Sequence, residues 1–259
     1  MSLTARTLKA TAAAVALTAA SVANADVIRI DETAFTPDAG LITFSEYSIG
    51  TVNPTYSPAD YGGGAGAPTV NFGGFFTGQS LGGAGDCPAG AALTGCVIGT
   101  PTASLSLDPT SPDTFITTDG ANPTSPVLSG TPRFNGAISI LFDTDLAGVG
   151  LDGGYFDAIG GTAITAFDRA GNIIGSVLNE GLGIEFLGLV TEDGSNAIAG
   201  LQFSLVGAEP AGFAIDNLRF GTGDQIDIPP VAGVPEPGSI ALLGLGLIGL
   251  GLSRRKKQA

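Results

Sequence analysis

Between residues 26 and 233 the chain alternates short apolar segments with clusters of glycine, proline, asparagine and aspartate, the rhythm of strands and turns. Nine segments read as strands: residues 41–45, 70–76, 114–118, 137–142, 162–167, 173–177, 183–189, 198–206 and 212–220. Within them Leu201-Gln202-Phe203-Ser204-Leu205 alternates strictly, as a strand with one buried face does. Asp168-Arg169-Ala170-Gly171-Asn172 supplies turn residues between two strands and predicts a hairpin. From Asn53 to Pro132 glycine and proline are so dense that the pattern predicts long ordered loops, tied down by Phe72, Phe75, Phe76 and Phe115. Residues 221–233 (GTGDQIDIPPVAG) read as a spacer.

Apolar runs without this rhythm occur only at the two ends. Arg6 and Lys9 precede an apolar stretch from Ala12 to Ala20, and Ala23-Asn24-Ala25 places small residues before Asp26; together these form a secretory signal peptide with the mature chain beginning at Asp26. At the other end, residues 238–252 carry no charge. At about 1.5 Å of rise per residue that run covers ~23 Å of a ~30 Å hydrocarbon core, a short span. Pro235 and Pro237 fit just before the helix rather than within it. Arg254, Arg255, Lys256 and Lys257 follow and stay cytoplasmic by the positive-inside tendency, leaving everything before Glu236 across the membrane. The chain therefore divides into a signal peptide (1–25), a domain (26–220), a linker (221–233) and a sorting or anchor segment (234–259).

Val234-Pro235-Glu236-Pro237, the Gly/Leu-rich span and the basic end, taken in that order over residues 233–257, resemble the PEP-CTERM sorting domain of Gram-negative bacteria. The resemblance implies recognition through Pro235, Glu236 and Pro237 by the membrane protease-transpeptidase exosortase. It also implies export through the secretion machinery, transient residence in the inner membrane through the C-terminal helix, and a producing cell that makes exopolysaccharide. Two lysines stand where arginine is usual in that family. A plain permanent anchor is the alternative reading of the same residues.

Removing both ends sharpens the charge. Residues 26–233 keep only Arg29, Arg133, Arg169 and Arg219 against 23 acidic residues, a net of −19, whereas the whole chain carries −14. Such a surface repels phosphate backbones and argues against nucleic-acid binding. Cys87 and Cys96 are a closely spaced pair in an exported chain and read as a local disulfide. The chain has no histidine, which removes the ordinary triads and the commonest metal ligand, so no enzyme is expected. Gly244, Gly246 and Gly249 match a dinucleotide-binding spacing but lie inside the apolar tail. Asp143-Thr144-Asp145 begins like a calcium loop but lacks its closing glutamate. Asp152, followed by two glycines, reads as a turn residue.

The last predicted strand, with Ile215-Asp216-Asn217-Leu218 at its centre, is similar to the closing strand of secreted bacterial jelly-roll sandwiches, including carbohydrate-binding modules. That resemblance implies an all-β, jelly-roll-like sandwich and a structural calcium ion held by Asp216 with Glu46. Simple alternation places Asp216 on one face with Ala214, Leu218 and Phe220, where an ionised carboxylate needs a partner: calcium, Arg133, Arg219 or water. The functional expectation is an exported, exosortase-processed surface or matrix protein of structural or adhesive role. A polysaccharide-binding module, with Tyr47, Tyr56, Tyr61 and Tyr155 standing in for the absent tryptophan, is the alternative.

Overall fold

A computed structural model describes residues 26–122, 124, 126–210 and 213–230. The predicted signal peptide, with Ala23 and Ala25, and the whole sorting segment lie outside the described residues. Among those described, fifteen strands follow in chain order: β1 (Val27–Arg29), β2 (Gly40–Ile42), β3 (Thr55–Tyr56), β4 (Val70–Gly73), β5 (Gln79–Leu81), β6 (Val97–Gly99), β7 (Thr114–Thr117) and β8 (Val127–Gly130). The second half contributes β9 (Ile138–Leu146), β10 (Gly148–Phe156), β11 (Thr162–Phe167), β12 (Ile173–Leu178), β13 (Gly183–Thr191), β14 (Ile198–Leu205) and β15 (Ala214–Gly221). No helix among the described residues is long and apolar enough to cross a membrane.

The strands form a two-layer antiparallel sandwich. One sheet runs β1-β13-β10-β15-β8-β7, with β2 also pairing to β15; the other runs β12-β11-β14-β9-β4-β3. Period-two alternation explains the core between them: Val149, Leu151, Leu187, Leu189, Ile215 and Leu218 of the first sheet meet Ile138, Ile140, Phe142, Ile164, Leu201 and Phe203 of the second. Phe203 lies against Phe156 and Phe213 at ring-centroid distances of 6.2 and 5.8 Å.

The Gly/Pro-rich first half is more ordered than its composition suggests. It contributes β3 to β8, each of two to four residues, too short to show a period between glycine turns. Phe72, Phe75 and Phe76 are buried as expected, while Phe115 is only half-buried. The β5–β6 hairpin and its flanking loops cover the outer face of the second sheet. Phe76 and Leu105 pack there on Phe167 and Ala199, and Gln79 exchanges amide hydrogen bonds with Gln202 at 3.2 and 2.9 Å. This cover is why β14 is buried along its whole length.

Two of the differences from the sequence expectation bear on the site. Gly148–Phe156, not predicted as a strand because four of its nine residues are glycine, is β10, at the centre of the first sheet between β13 and β15. Its glycines answer crowding: a Cβ at Gly150 would lie 2.4 Å from the Phe186 ring. The stretch read as a spacer from Gly221 instead packs back on the domain. Ile226 is buried in a small cluster with Ile30, Phe35, Ala147 and Val190, and Thr222 and Gln225 form a capping box around a short 3-10 turn.

Candidate functional site

The closing strand does not follow simple alternation. Asn217 adopts φ 46, and β10 pairs to β15 at Gly150↔Arg219 and then Asp152↔Asp216, so one extra residue bulges on β15. The bulge reverses the phase. Ile215 and Leu218 both reach the core, whereas Asp216, expected on one face with Leu218 and Phe220, is turned to the other side of the sheet. There it lies opposite Asp152, which is a strand residue and not a turn residue.

Asp216 is fully buried. Its carboxylate accepts the Thr124 hydroxyl at 2.5 Å and the Asn217 amide at 2.8 Å, and the Asn217 side chain donates to Asp152 Oδ2 at 2.8 Å. Burial pushes the Asp216 pKa up to about 6; the Thr124 and Asn217 hydrogen bonds oppose the rise, and the Asp152 charge adds to it. Asp152 is raised too, chiefly by burial and against the Asn217 hydrogen bond. Neither arginine considered from sequence pairs with Asp216: Arg219 binds Glu32, and Arg133 donates to the Thr118 carbonyl and stacks over Phe134.

Glu46 has a different set of neighbours. Its Oε1 accepts the Thr43 amide and hydroxyl, each at 2.9 Å, while Oε2 is buried without a partner among the described residues, near Tyr56. Asp216 and Glu46 thus share no hydrogen-bonding partner. Among the described residues no group of three or more acidic or cysteine side chains is placed to hold a metal ion. The Asp143-Thr144-Asp145 segment is committed elsewhere: Asp143 accepts the Thr69 amide and Asp145 pairs with Arg169.

Cys87 and Cys96 are joined, with Cα atoms 6.1 Å apart. The bridge closes a nine-residue separation beside the β5–β6 hairpin, where Gly82 packs against both sulfurs. Constraining a loop of that length in the unfolded chain stabilises the fold by about 2–3 kcal/mol. Cys87→Ser with Cys96→Ser is expected to lower the unfolding free energy by that amount in a denaturant titration, and a change below about 0.5 kcal/mol would show that the hairpin holds the loop unaided.

A cleft opens at the end of the sandwich where β15 hands over to residues 222–225. The loop Tyr61-Gly62-Gly63-Gly64-Ala65-Gly66-Ala67 forms one wall and residues 37–41 another, with Phe220 beneath, enclosing about 700 Å³. Sequence reasoning noted the glycine run as loop and missed the cleft; its signal was a glycine count greater than any single turn requires.

The sorting segment begins four residues beyond the last described residue, Pro230. Residues 233–256 match the PEP-CTERM protein-sorting motif. The chain is therefore an exported protein addressed to exosortase, anchored in the membrane before exosortase processes it. Val234, Pro235, Glu236 and Pro237 and the basic residues Arg254 to Lys257 fall in or at the edge of the matched stretch. No curated protein matches this chain. Among solved structures, the enzymatically active domain of tailspike protein 4 from bacteriophage CBA120 is similar at 16% identity and a TM-score of 0.23, over 68% of this chain and 19% of that one.

Proposed function

We propose that this chain is a non-catalytic surface or matrix protein with a structural or adhesive role, released from the inner membrane by exosortase. The observation that carries the reading is the sorting motif at residues 233–256 attached to a disulfide-bonded, strongly acidic β-sandwich. A rigid two-sheet scaffold with its chain end leading into a sorting segment suits display outside the cell, and the acidic surface favours solubility there. Calcium remains a proposal at Asp216, with a changed donor set. Asp152 across the strand pair, with the Thr124 hydroxyl oxygen, replaces Glu46 as its company.

In a host that makes exosortase, the wild-type protein is expected to lose most of residues 238–259, and Glu236→Ala to keep them and stay in the inner membrane. Intact-mass measurement and membrane fractionation read the outcome. A full tail on the wild-type protein in that host would leave a permanent anchor as its only role.

A further inference from the structure

We propose that the cleft between the glycine-rich loop and the turn at residues 222–225 binds a neutral carbohydrate. The inference rests on the adhesive reading above and supplies its ligand chemistry. At about 700 Å³ the cleft falls within the ~300–1,000 Å³ range of small-ligand sites. Its floor is the half-buried ring of Tyr61, which rests edge to face on the buried Phe220 at 5.2 Å and is pinned by its hydroxyl, which donates to the Pro68 carbonyl at 2.5 Å. Its rim carries the exposed carboxylates of Asp38 and Asp224, and no lysine, arginine or histidine lines it. Gln225 and Thr222 bind one another and neighbouring backbone, so they hold the wall in place: Gln225 donates to the Asp38 carbonyl at 2.6 Å and accepts the Thr222 amide at 3.0 Å.

The loop itself exposes backbone. Gly63 donates to the Pro58 carbonyl at 2.7 Å and Ala67 to the Gly64 carbonyl at 3.2 Å, while Gly62, Gly64, Ala65 and Gly66 face solvent. Gly62 and Gly66 have φ of +72 and +88, and Gly63 lies against the Tyr61 ring, so the fold explains those three glycines. Gly64 has no such reason, because a Cβ there would meet nothing and its φ is ordinary. A missing side chain at that position keeps the cleft clear.

The ligand class follows from what the walls offer. Carboxylates accept hydrogen bonds and exposed amides donate them, so the ligand must do both along one surface and bring an apolar face to the aromatic floor. A sugar ring does this, each hydroxyl serving as donor and acceptor. An anionic ligand meets two carboxylates and a domain of net charge −19; a simple cation leaves the amides without an acceptor.

The test titrates the full chain, purified in detergent, with neutral glucan, mannan and galactan oligosaccharides and with uronate oligosaccharides as the acidic control. One neutral series is expected to bind and the uronates to bind at least tenfold more weakly. Gly64→Leu is expected to weaken that binding at least tenfold with an unchanged unfolding midpoint, and Asp38→Asn at least fivefold. Should Gly64→Leu lower the midpoint, Asp38→Asn decides alone. Absence of binding by every neutral series, equal binding of uronates, or wild-type affinity in the deciding variant overturns the assignment. Because the measurement uses purified protein, a failed processing experiment leaves it unaffected, and absent binding leaves export to exosortase standing.

Discussion

Asp216→Asn is expected to stabilise the protein at pH 8 by about 2 kcal/mol without calcium, and to give up that gain as the pH falls to 4. The carboxyl of Asp216 has a folded pKa near 6 against an unfolded value near 4, because burial disfavours its charge. The native state therefore holds this proton more tightly than the unfolded chain. The associated stability is fully present below about pH 4 and is lost as the pH rises through 6, a difference of about 3 kcal/mol at 1.36 kcal/mol per unit. Asparagine carries no charge at any pH. It forfeits part of the hydrogen bonding from Thr124 and Asn217, at about 1 kcal/mol. Urea titrations from pH 4 to 8 read the crossing, and parallel curves for the two proteins would show that Asp216 does not titrate differently on folding.

Calcium should invert the order at pH 8. An ion held by Asp216 and Asp152 binds only the folded wild-type protein, and at ~100 times its dissociation constant it adds about 2.7 kcal/mol that the asparagine variant lacks. Sodium chloride at matched ionic strength separates a bound ion from screening. If the variant stays the more stable protein in calcium, no ion binds at this residue, and Thr124, Asn217 and partial protonation account for the buried carboxyl.

How much was readable in advance divides by mechanism. Strands 162–167, 173–177 and 198–206 were legible because branched and aromatic residues alternate between clear turn signals, and β11, β12 and β14 lie there within a residue at each end. Asp216 was legible as a buried carboxylate, but its direction was not. A single left-handed residue, Asn217, reversed the phase of the strand, and no local pattern distinguishes a bulge from regular pleating. Asp152 was hidden by the glycines beside it, which signal a turn locally and close sheet packing in context. Glu46 was assigned to the same site by analogy alone, and the structure gives it Thr43 and the neighbourhood of Tyr56 instead. The Cys87–Cys96 pair needed only proximity in sequence and an exported context, so it was legible in full.

The same crowding in β10 sets the largest expected effect of a single methyl group. Gly154→Ala is expected to cost about 2–6 kcal/mol. Gly154 lies where β10 bulges against β13, between the pairs Gly153↔Glu185 and Phe156↔Gly183, while its other edge pairs with Ala214 of β15. Its φ of +139 is disfavoured for any L side chain, a strain of about 1–3 kcal/mol. A Cβ there would also lie 2.4 Å from the Gly183 carbonyl oxygen and 3.0 Å from the Ile184 Cα. Those are backbone atoms of the neighbouring strand, so no rotamer relieves the contact, and β13 must move away from the centre of the sheet at a further ~1–3 kcal/mol. Gly160→Ala isolates the conformational part. Its φ is +69 and a Cβ there would meet only the Leu178 Cδ2 methyl, at 3.9 Å, so about 1–2 kcal/mol is expected. Guanidinium midpoints for the two variants, taken at equal slope, measure the difference directly. Equal losses would mean that β13 yields without resistance, and the close approach of β10 and β13 would then not be what requires glycine at 154.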